Sequence, residues 1–417
     1  MRSRQCLILS AVLFSSVLPP LACAADWLEF RGPTAQGHAP VDANVPLKWS
    51  ATENVKWKTP MAGEGWSSPV VSDGVAYLTA AVPQGDDGSY ALQLILIDVA
   101  TGEIQRTSEA FLEVPEQSPK IHAKNSHASP TPLIEGDLVY VHFGHQGTAC
   151  FRRDGELVWR NDSFRYEPVH GNGGSPVIAG DKLIFSCDGE KDPFILALDK
   201  TTGKVAWRYE RPSDAEKKFS FSTPLLIEVA GREQLISPGS NLVVSLDPQT
   251  GEEIWRCRYD GFSVVARPVF GHGLIYVSSS FMSPATYAIR PDGQGDVTDT
   301  HVVWSEKRGA PNTPSMLLVG DWLFEVSDRG VATCLDAKTG EIKWQERLGG
   351  GFSASPLYAN GRVYFQSEEG EAVVVAAEPE FRELARNTLD ERTLASYAVI
   401  DDDLLIRTDK YLYRIGQ

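Results

Sequence analysis

Short runs of apolar residues that alternate with polar ones recur along most of the chain, and Gly, Asp or Asn separates them. Runs of this kind, rich in Val, Ile, Leu, Tyr and Phe, are typical of strands joined by tight turns. The repeating unit opens with Ser/Thr-Pro, as in "SSPVVSDGVAYLTA" (67–80) and "SASPLYANGRVYFQS" (353–367). Its first strand falls at eight equivalent positions, which are Pro69, Pro132, Pro176, Pro224, Pro268, Met316, Pro356 and Tyr397. The intervals leave room for four strands each, so the pattern predicts an all-β, eight-bladed β-propeller with four-stranded antiparallel blades.

The last unit supplies only three of its four strands. It reads "ASYAVIDDDLLIRTDKYLYRIG" (395–416), whereas residues 54–59, before the first unit, read as a fourth strand. An open seam would expose unpaired backbone groups, so we expect this N-terminal strand to close the last blade. The predicted division is a signal peptide over 1–24, an N-terminal segment over 25–53 and the propeller over 54–417.

One segment, "ALDKTTGKVAW" (197–207), returns as "SLDPQTGEEIW" (245–255) and "CLDAKTGEIKW" (334–344). The Gly suits a positive φ, the Asp can accept hydrogen bonds from its own turn, and the Trp can pack on the next blade while its N–H finds a carbonyl. Use at several points of a ring indicates a structural element rather than chemistry. The residues assigned to this tryptophan-docking role are Asp199, Gly203, Trp207, Asp247, Gly251, Trp255, Asp336, Gly340 and Trp344.

The same segment resembles the tryptophan-docking repeat of quinoprotein alcohol dehydrogenases and of the propeller subunit of the bacterial outer-membrane protein assembly machinery. With "DWLEFRGPTAQG" (26–37) and "KNSHASPTP" (124–132), it makes the chain similar to exported PQQ-binding-like β-propeller repeat proteins. The resemblance extends from about residue 26 to the end. It implies a propeller, but the family name describes the shape of a repeat and does not imply that pyrroloquinoline quinone (PQQ) is bound.

The first residues have the pattern of a secretory signal. Arg2 and Arg4 precede an apolar stretch that is too short to span a bilayer, and "ACA" at 22–24 fits cleavage before Ala25. Lipidation of Cys23 is disfavoured by the residues that precede it. We therefore expect a periplasmic or secreted protein without a transmembrane span or a lipid anchor.

The chain is acidic, with 55 Asp and Glu against 39 Lys and Arg. This charge argues against nucleic acid or an anionic membrane as a partner. We expect a monomer that binds a protein partner or a small ligand.

Four cysteines follow the signal: Cys150, Cys187, Cys257 and Cys334. An even number in an exported protein is compatible with disulfides. However, two of the cysteines occupy repeat positions at which other units have Ala197 or Ser245. The favoured interpretation is therefore a small, buried, free cysteine at each site.

A PQQ-dependent oxidoreductase is the enzymatic alternative, with PQQ and Ca²⁺ as its cofactors. The resemblance implies that such an enzyme has a disulfide between adjacent cysteines, a Ca²⁺ site and a catalytic Asp, but no two cysteines here are adjacent. Asp292, Asp296 and Asp299 in "PDGQGDVTDTH" are weak metal candidates because their spacing departs from a calcium-binding loop. We expect no catalytic residue, no metal and no cofactor.

Candidate binding residues concentrate in the longest linker and at positions preceding the first strands. Imidazole, amide and amine groups near a central channel suit an anionic or sugar-like ligand, although the same groups can simply satisfy loop backbone. The candidates are His122, Lys124, Asn125, His127, His170, Asn172, Arg267 and Asn312. The leading hypothesis is an exported, non-catalytic scaffold that binds a protein or a small ligand at the channel mouth; a carbohydrate- or peptide-binding module is a further alternative.

Overall fold

A computed structural model describes residues 26–117 and 120–417 as eight four-stranded antiparallel blades arranged in a ring. The predicted eight-bladed propeller is confirmed, and each innermost strand begins one residue after its predicted first-strand position. From the channel outward, blades 1 to 4 comprise Val70–Ser72, Val75–Gln84, Ser89–Asp98 and Ile104–Glu113; Leu133–Glu135, Leu138–His142, Thr148–Arg152 and Leu157–Asn161; Val177–Ala179, Lys182–Cys187, Phe194–Asp199 and Val205–Glu210; Leu225–Val229, Arg232–Gly239, Leu242–Leu246 and Glu253–Arg258. Blades 5 to 8 comprise Val269–Gly271, Leu274–Ser278, Thr286–Ile289 and Val302–Glu306; Leu317–Val319, Trp322–Val326, Val331–Asp336 and Ile342–Arg347; Leu357–Ala359, Arg362–Gln366, Glu371–Ala376 and Glu383–Thr388; Ala398–Ile400, Asp403–Arg407, Tyr411–Ile415 and Val55–Pro60.

The last blade is closed by both ends of the propeller, as predicted. Its outer strand, Val55–Pro60, pairs antiparallel with Tyr411–Ile415. Blade 4 carries an additional short strand, Gly295–Asp296, which pairs in parallel with the outer strand Glu253–Arg258. This strand comes from the enlarged loop of blade 5, so the loop "PDGQGDVTDTH" bridges two blades.

Helical structure in the described residues is limited to short segments. They are the 3-10 turns Pro115–Gln117 and Gly144–Gln146 and one helical turn, Thr298–His301. Of the described residues, none belongs to a helix long and apolar enough to cross a membrane. The predicted signal peptide and Cys23 lie outside the described residues.

The apolar core lies between neighbouring blades, because the inner strands are buried on both faces. In blade 3 the third strand, Phe194–Asp199, is buried nearly throughout, whereas the outer strand, Val205–Glu210, is largely exposed. Between blades 1 and 2, Tyr77 packs in one cluster with Val139 and Phe151. The four cysteines of the propeller are free and buried, and burial raises the pKa of the Cys150 thiol to about 12.

Four docking tryptophans pack on the glycine of the following blade's turn, so the motif joins two blades; they are Trp57, Trp159, Trp207 and Trp304. The indole of Trp159 lies against Gly203 and donates to the Lys200 carbonyl at 3.0 Å. Gly203 has φ +71, and its turn is held by the Asp199 carboxylate, which accepts the Thr202 N–H at 2.8 Å. At these four junctions the tryptophan and the turn therefore supply a contact between neighbouring blades.

Blade 5 lacks such a turn, and Trp255 of blade 4 adapts to that. Its indole N–H donates to the Gln234 side-chain oxygen at 2.9 Å, and the Gln234 amide donates to the Pro291 carbonyl at 3.1 Å. The Gln234 side chain thus takes the place of a direct hydrogen bond from the indole to a carbonyl of the neighbouring blade.

Candidate functional site

The two faces of the disc carry different connections. The upper face carries the linkers between blades, and the lower face carries the tryptophan-docking turns. The N-terminal segment crosses the lower end of the channel: Trp27 pairs with Val71 of blade 1, and His38 pairs with Tyr358 of blade 7. Phe30 of this segment lines the floor of a central cavity of about 260 Å³, whose other walls come mainly from upper-face linkers.

A ring of buried hydroxyl groups surrounds this cavity. Each ring hydroxyl accepts a backbone N–H from the preceding blade; for example, Ser68 N–H donates to Thr131 Oγ1 at 3.0 Å, and Thr131 N–H donates to Ser175 Oγ at 2.9 Å. Every ring residue lies two positions before an innermost strand. The ring consists of Ser68, Thr131, Ser175, Thr223, Ser315, Ser355 and Ser396, all of which line the cavity.

The eighth ring position holds Arg267, whose side chain turns to the N-terminal segment. Its guanidinium donates to the Phe30 carbonyl at 2.6 Å and pairs with the Glu29 carboxylate at 2.9 Å. Arg267 also donates to the Pro224 carbonyl at 3.0 Å and is only 1% exposed. It therefore anchors the segment that forms the cavity floor.

Two further buried arginines lie next to cavity-lining residues. Arg31 follows Phe30, and Arg407 donates to Ser67 Oγ at 2.6 Å, beside ring residue Ser68. Neither forms an ion pair with a carboxylate of the described residues. Burial lowers the pKa of each to about 9, with Arg267 adding to the effect on Arg31, so both stay charged at neutral pH.

Aromatic side chains line one side of the cavity above the hydroxyl ring. The rings of His170 and Phe219 have centroids 5.2 Å apart, those of Phe219 and Phe262 are 5.7 Å apart, and those of Phe262 and Phe281 are 6.4 Å apart. The row ends at a solvent-exposed tip, because Phe281 is 43% exposed and the adjacent Met282 is 80% exposed. We call Phe281 and Met282 the apolar tip.

Four of the predicted binding residues line the cavity, namely His122, Lys124, Asn125 and His170. The ring centroids of His122 and His170 are 5.3 Å apart, and burial, followed by His122 and Lys217, lowers the pKa of His170. Lys124 pairs with the Glu368 carboxylate at 2.7 Å. The Asn125 amide holds the loop, since it donates to the His170 carbonyl at 2.9 Å.

The other four candidates do not line the cavity. His127 is buried, with Nδ1 2.8 Å from a Glu113 carboxylate oxygen, and Asn172 donates to the Phe143 carbonyl at 3.2 Å. Asn312 accepts a hydrogen bond from Ser280 through its backbone carbonyl. Arg267 points away from the mouth, as described above.

Sequence reasoning missed the aromatic row and the hydroxyl ring. Phe219, Phe262 and Phe281 lie in linkers and loops without periodicity, so no pattern marked them. The ring was visible, because the Ser/Thr that opens the units is the ring residue itself.

The residues around the cavity do not fit a quinone held with Ca²⁺. Within the described part of the chain, the cavity lining contains no Asp or Glu, and Ca²⁺ prefers such ligands. Asp292, Asp296 and Asp299 lie in the blade 5 loop, and the described residues contain no group of three or more His, Cys, Asp or Glu suited to a metal ion. Asp296 instead accepts a hydrogen bond from Thr298 at 2.6 Å.

A sequence profile of the family described as "Outer membrane protein assembly factor BamB" matches residues 42–191, 120–315 and 295–388. The chain belongs to this family. The family resemblance seen in the tryptophan-docking repeat is thereby confirmed.

Solved structures agree at the level of the fold. BamB from Moraxella catarrhalis is 15% identical, with a TM-score of 0.56, over 86% of this chain and 97% of that chain. The computationally designed Ika8 protein is 10% identical, with a TM-score of 0.59, over 91% of this chain and 99% of that chain. At these identities the likeness shows the propeller fold alone.

One curated relative has an enzymatic name. A 1-butanol dehydrogenase (quinone) from Thauera butanivorans is 33% identical over 147 residues, which is 32% of this chain and 21% of that protein. The chain thus spans about a fifth of the relative's length.

Proposed function

We propose that the protein is an exported, non-catalytic binding scaffold that holds a protein partner or a small ligand at the cavity on its upper face. Its periplasmic or secreted location is proposed from the signal-like residues 1–24. The observation that carries the binding role is a central cavity with the apolar tip at its rim. Most other large exposed apolar side chains, such as Val205 and Val303, lie on outer strands.

The rim combines features that favour a protein contact. Exposed aromatic and methionine side chains beside a concave site are common where proteins bind other molecules. The Lys217 amine lies 4.8 Å from the centre of the Phe262 ring, and the Arg392 guanidinium lies 5.3 Å from the centre of the Trp66 ring. The family description, an outer membrane protein assembly factor, supports a partner protein rather than a turnover substrate.

A PQQ-dependent dehydrogenase is the second candidate, favoured by the local likeness to the quinone-dependent butanol dehydrogenase. We expect Ca²⁺ to add nothing to any rise in melting temperature that PQQ gives, because the cavity lining offers hydroxyls and aromatics rather than the carboxylates that Ca²⁺ prefers. A saturable rise, accompanied by oxidation of an alcohol with an artificial electron acceptor, would favour the enzyme instead.

The test of the scaffold places a photo-crosslinking residue at Met282 in the full-length protein, expressed in its own host. A matched position is Val41, which is 96% exposed but lies in the N-terminal segment on the lower face. We expect a discrete protein adduct from position 282 that is absent from position 41 and is reduced by Phe281→Asp. The same adducts at both positions, or none at 282, would contradict an upper-face protein contact.

A further inference from the structure

In the hydroxyl ring, each oxygen accepts a hydrogen bond, but each O–H group lacks an acceptor among the described residues. Each of the seven oxygens already accepts a backbone N–H at 2.9–3.1 Å, and among the described residues none of these hydroxyls donates to a protein acceptor. All seven are at most 7% exposed. Because a buried hydroxyl without an acceptor is unfavourable, the cavity is suited to a group that accepts several hydrogen bonds.

The sign of the charge around the cavity favours an anion. Arg31 and Arg407 are buried without a carboxylate partner among the described residues, and Arg31 Nε and Nη1 have no hydrogen-bond partner there. At the rim, the charge of Lys124 is balanced by Glu368, and Glu29 is paired with Arg267. The Asp328 carboxylate, which accepts a hydrogen bond from the lining Thr313 at 2.6 Å, offsets part of the charge of the two arginines. Uncompensated buried charge is costly, and a bound anion would offset it.

The upper wall is of opposite character, with the aromatic row and Leu394 facing the same space. Such a cavity can take a polar head at one level and an apolar body at the other. A carboxylate only accepts hydrogen bonds, which matches a ring of donors better than a polyol does.

We propose that the cavity binds a small amphipathic organic acid, with its anionic head at the hydroxyl ring and its apolar body against the aromatic row. The inference rests on the proposed binding role and names the class of ligand. It also explains why the eighth ring position holds Arg267 instead of a hydroxyl residue. The guanidinium at this position adds positive charge near the anionic head and anchors the segment that forms the cavity floor.

The test compares acids with their neutral amides on the mature protein. The probes are 1-naphthaleneacetate, phenylacetate and octanoate, each paired with its primary amide, and inorganic phosphate alone, measured by calorimetry at pH 7. We expect at least one acid to bind at least tenfold more tightly than its amide and than phosphate. Equal binding of acid and amide would overturn the anionic head, and equal binding of phosphate would overturn the apolar contribution.

A matched pair of variants locates the site. Ser315→Ala removes a ring hydroxyl that accepts the backbone N–H of Arg267. Ser222→Ala removes a buried hydroxyl that donates to the Ala266 carbonyl at 2.9 Å but does not line the cavity. We expect Ser315→Ala to weaken acid binding at least fivefold and Ser222→Ala to leave it unchanged. Equal effects would place the acid elsewhere.

The outcomes separate this inference from the proposed function. If no acid binds while the crosslink at Met282 persists, the ligand class is wrong and the scaffold stands. Phe221 also lines the cavity. If amides bind as well as acids and Phe221→Asp abolishes both, the cavity is a binding site for another class of ligand. The comparison of acid with amide needs only the wild-type protein, so it holds even if Ser315→Ala does not fold.

Discussion

At the scale of single residues, two constraints require glycine in the docking turns. The backbone has a positive φ, and a tryptophan of the preceding blade occupies the space that a Cβ would need. A Cβ at Gly203 would lie 2.5 Å from Trp159, at a backbone φ of +71. At Gly231 the φ is similar, +76, but a Cβ would meet nothing within 4 Å. The two positions therefore separate the backbone cost from the cost of displacing a tryptophan.

We predict that Gly203→Ala lowers the free energy of unfolding by about 2 kcal/mol more than Gly231→Ala. The backbone cost of about 1–2 kcal/mol should be common to both, and the steric displacement of Trp159 adds to it only at Gly203. Urea unfolding followed by far-UV circular dichroism measures both. Equal losses would mean that the Trp159 contact contributes nothing at this junction.

Glu325 is a buried carboxyl with little to stabilise its charge. Thr286 Oγ1 donates to it at 2.7 Å, its other oxygen has no partner among the described residues, and burial raises its pKa to about 8. Since the folded-state pKa exceeds the unfolded value of about 4.5, its contribution to stability is full below that pH and is lost as the pH rises towards 8.

We therefore predict that Glu325→Gln becomes progressively favourable relative to the wild type between pH 5 and pH 8. The difference in unfolding free energy should grow by up to about 1.4 kcal/mol per pH unit. Glu341→Gln, at an exposed carboxylate, controls for the loss of one negative charge. Unfolding curves at pH 5, 6, 7 and 8 test this, and a difference that stays constant with pH would refute it.

At the scale of strands and turns, local pattern was enough to predict the blades. Strand runs, turn residues and the Ser/Thr-Pro openings are short-range signals, so the innermost strands were placed within one residue and the shared last blade was predicted correctly. The extra strand Gly295–Asp296 was not, because its partner Glu253–Arg258 belongs to another blade. The Gln234 relay was missed for the same reason: its donor, Trp255, and its acceptor, Pro291, are far apart in sequence.

The site was only partly predictable, because it depends on the register of each linker. The residues chosen to ring the mouth preceded their strands by different distances, so they were not structurally equivalent. Arg267 lies two positions before its strand, as the ring residues do, and therefore occupies the hydroxyl-ring level. His127 lies six positions before its strand and packs on Tyr90, with ring centroids 4.4 Å apart. Hydrophobic periodicity does not determine where a linker side chain points.

At the scale of the whole molecule, the N-terminal segment performs two tasks. It crosses the lower end of the channel, where Phe30 contributes to the cavity, and it then supplies the strand Val55–Pro60 that closes the ring. The segment contacts blades on both sides of the channel through its backbone, as in the pairing of Trp27 with Val71. The cavity floor and ring closure are thereby parts of one continuous segment.

The Arg267 side chain connects this segment to blade 5. Its replacement should therefore destabilise the segment that forms the cavity floor more than it destabilises the blades. We predict that Arg267→Met raises amide hydrogen exchange in residues 29–37, because the ion pair with Glu29 and the bond to the Phe30 carbonyl are both lost. Arg407→Met is the matched control: Arg407 is 2% exposed but donates to Ser67 and Thr79 rather than to the segment. If both variants increase exchange in 29–37 equally, the segment responds to general loosening of the ring. If neither does, its backbone contacts are sufficient to hold it, and Arg267 serves mainly to supply charge beneath the cavity.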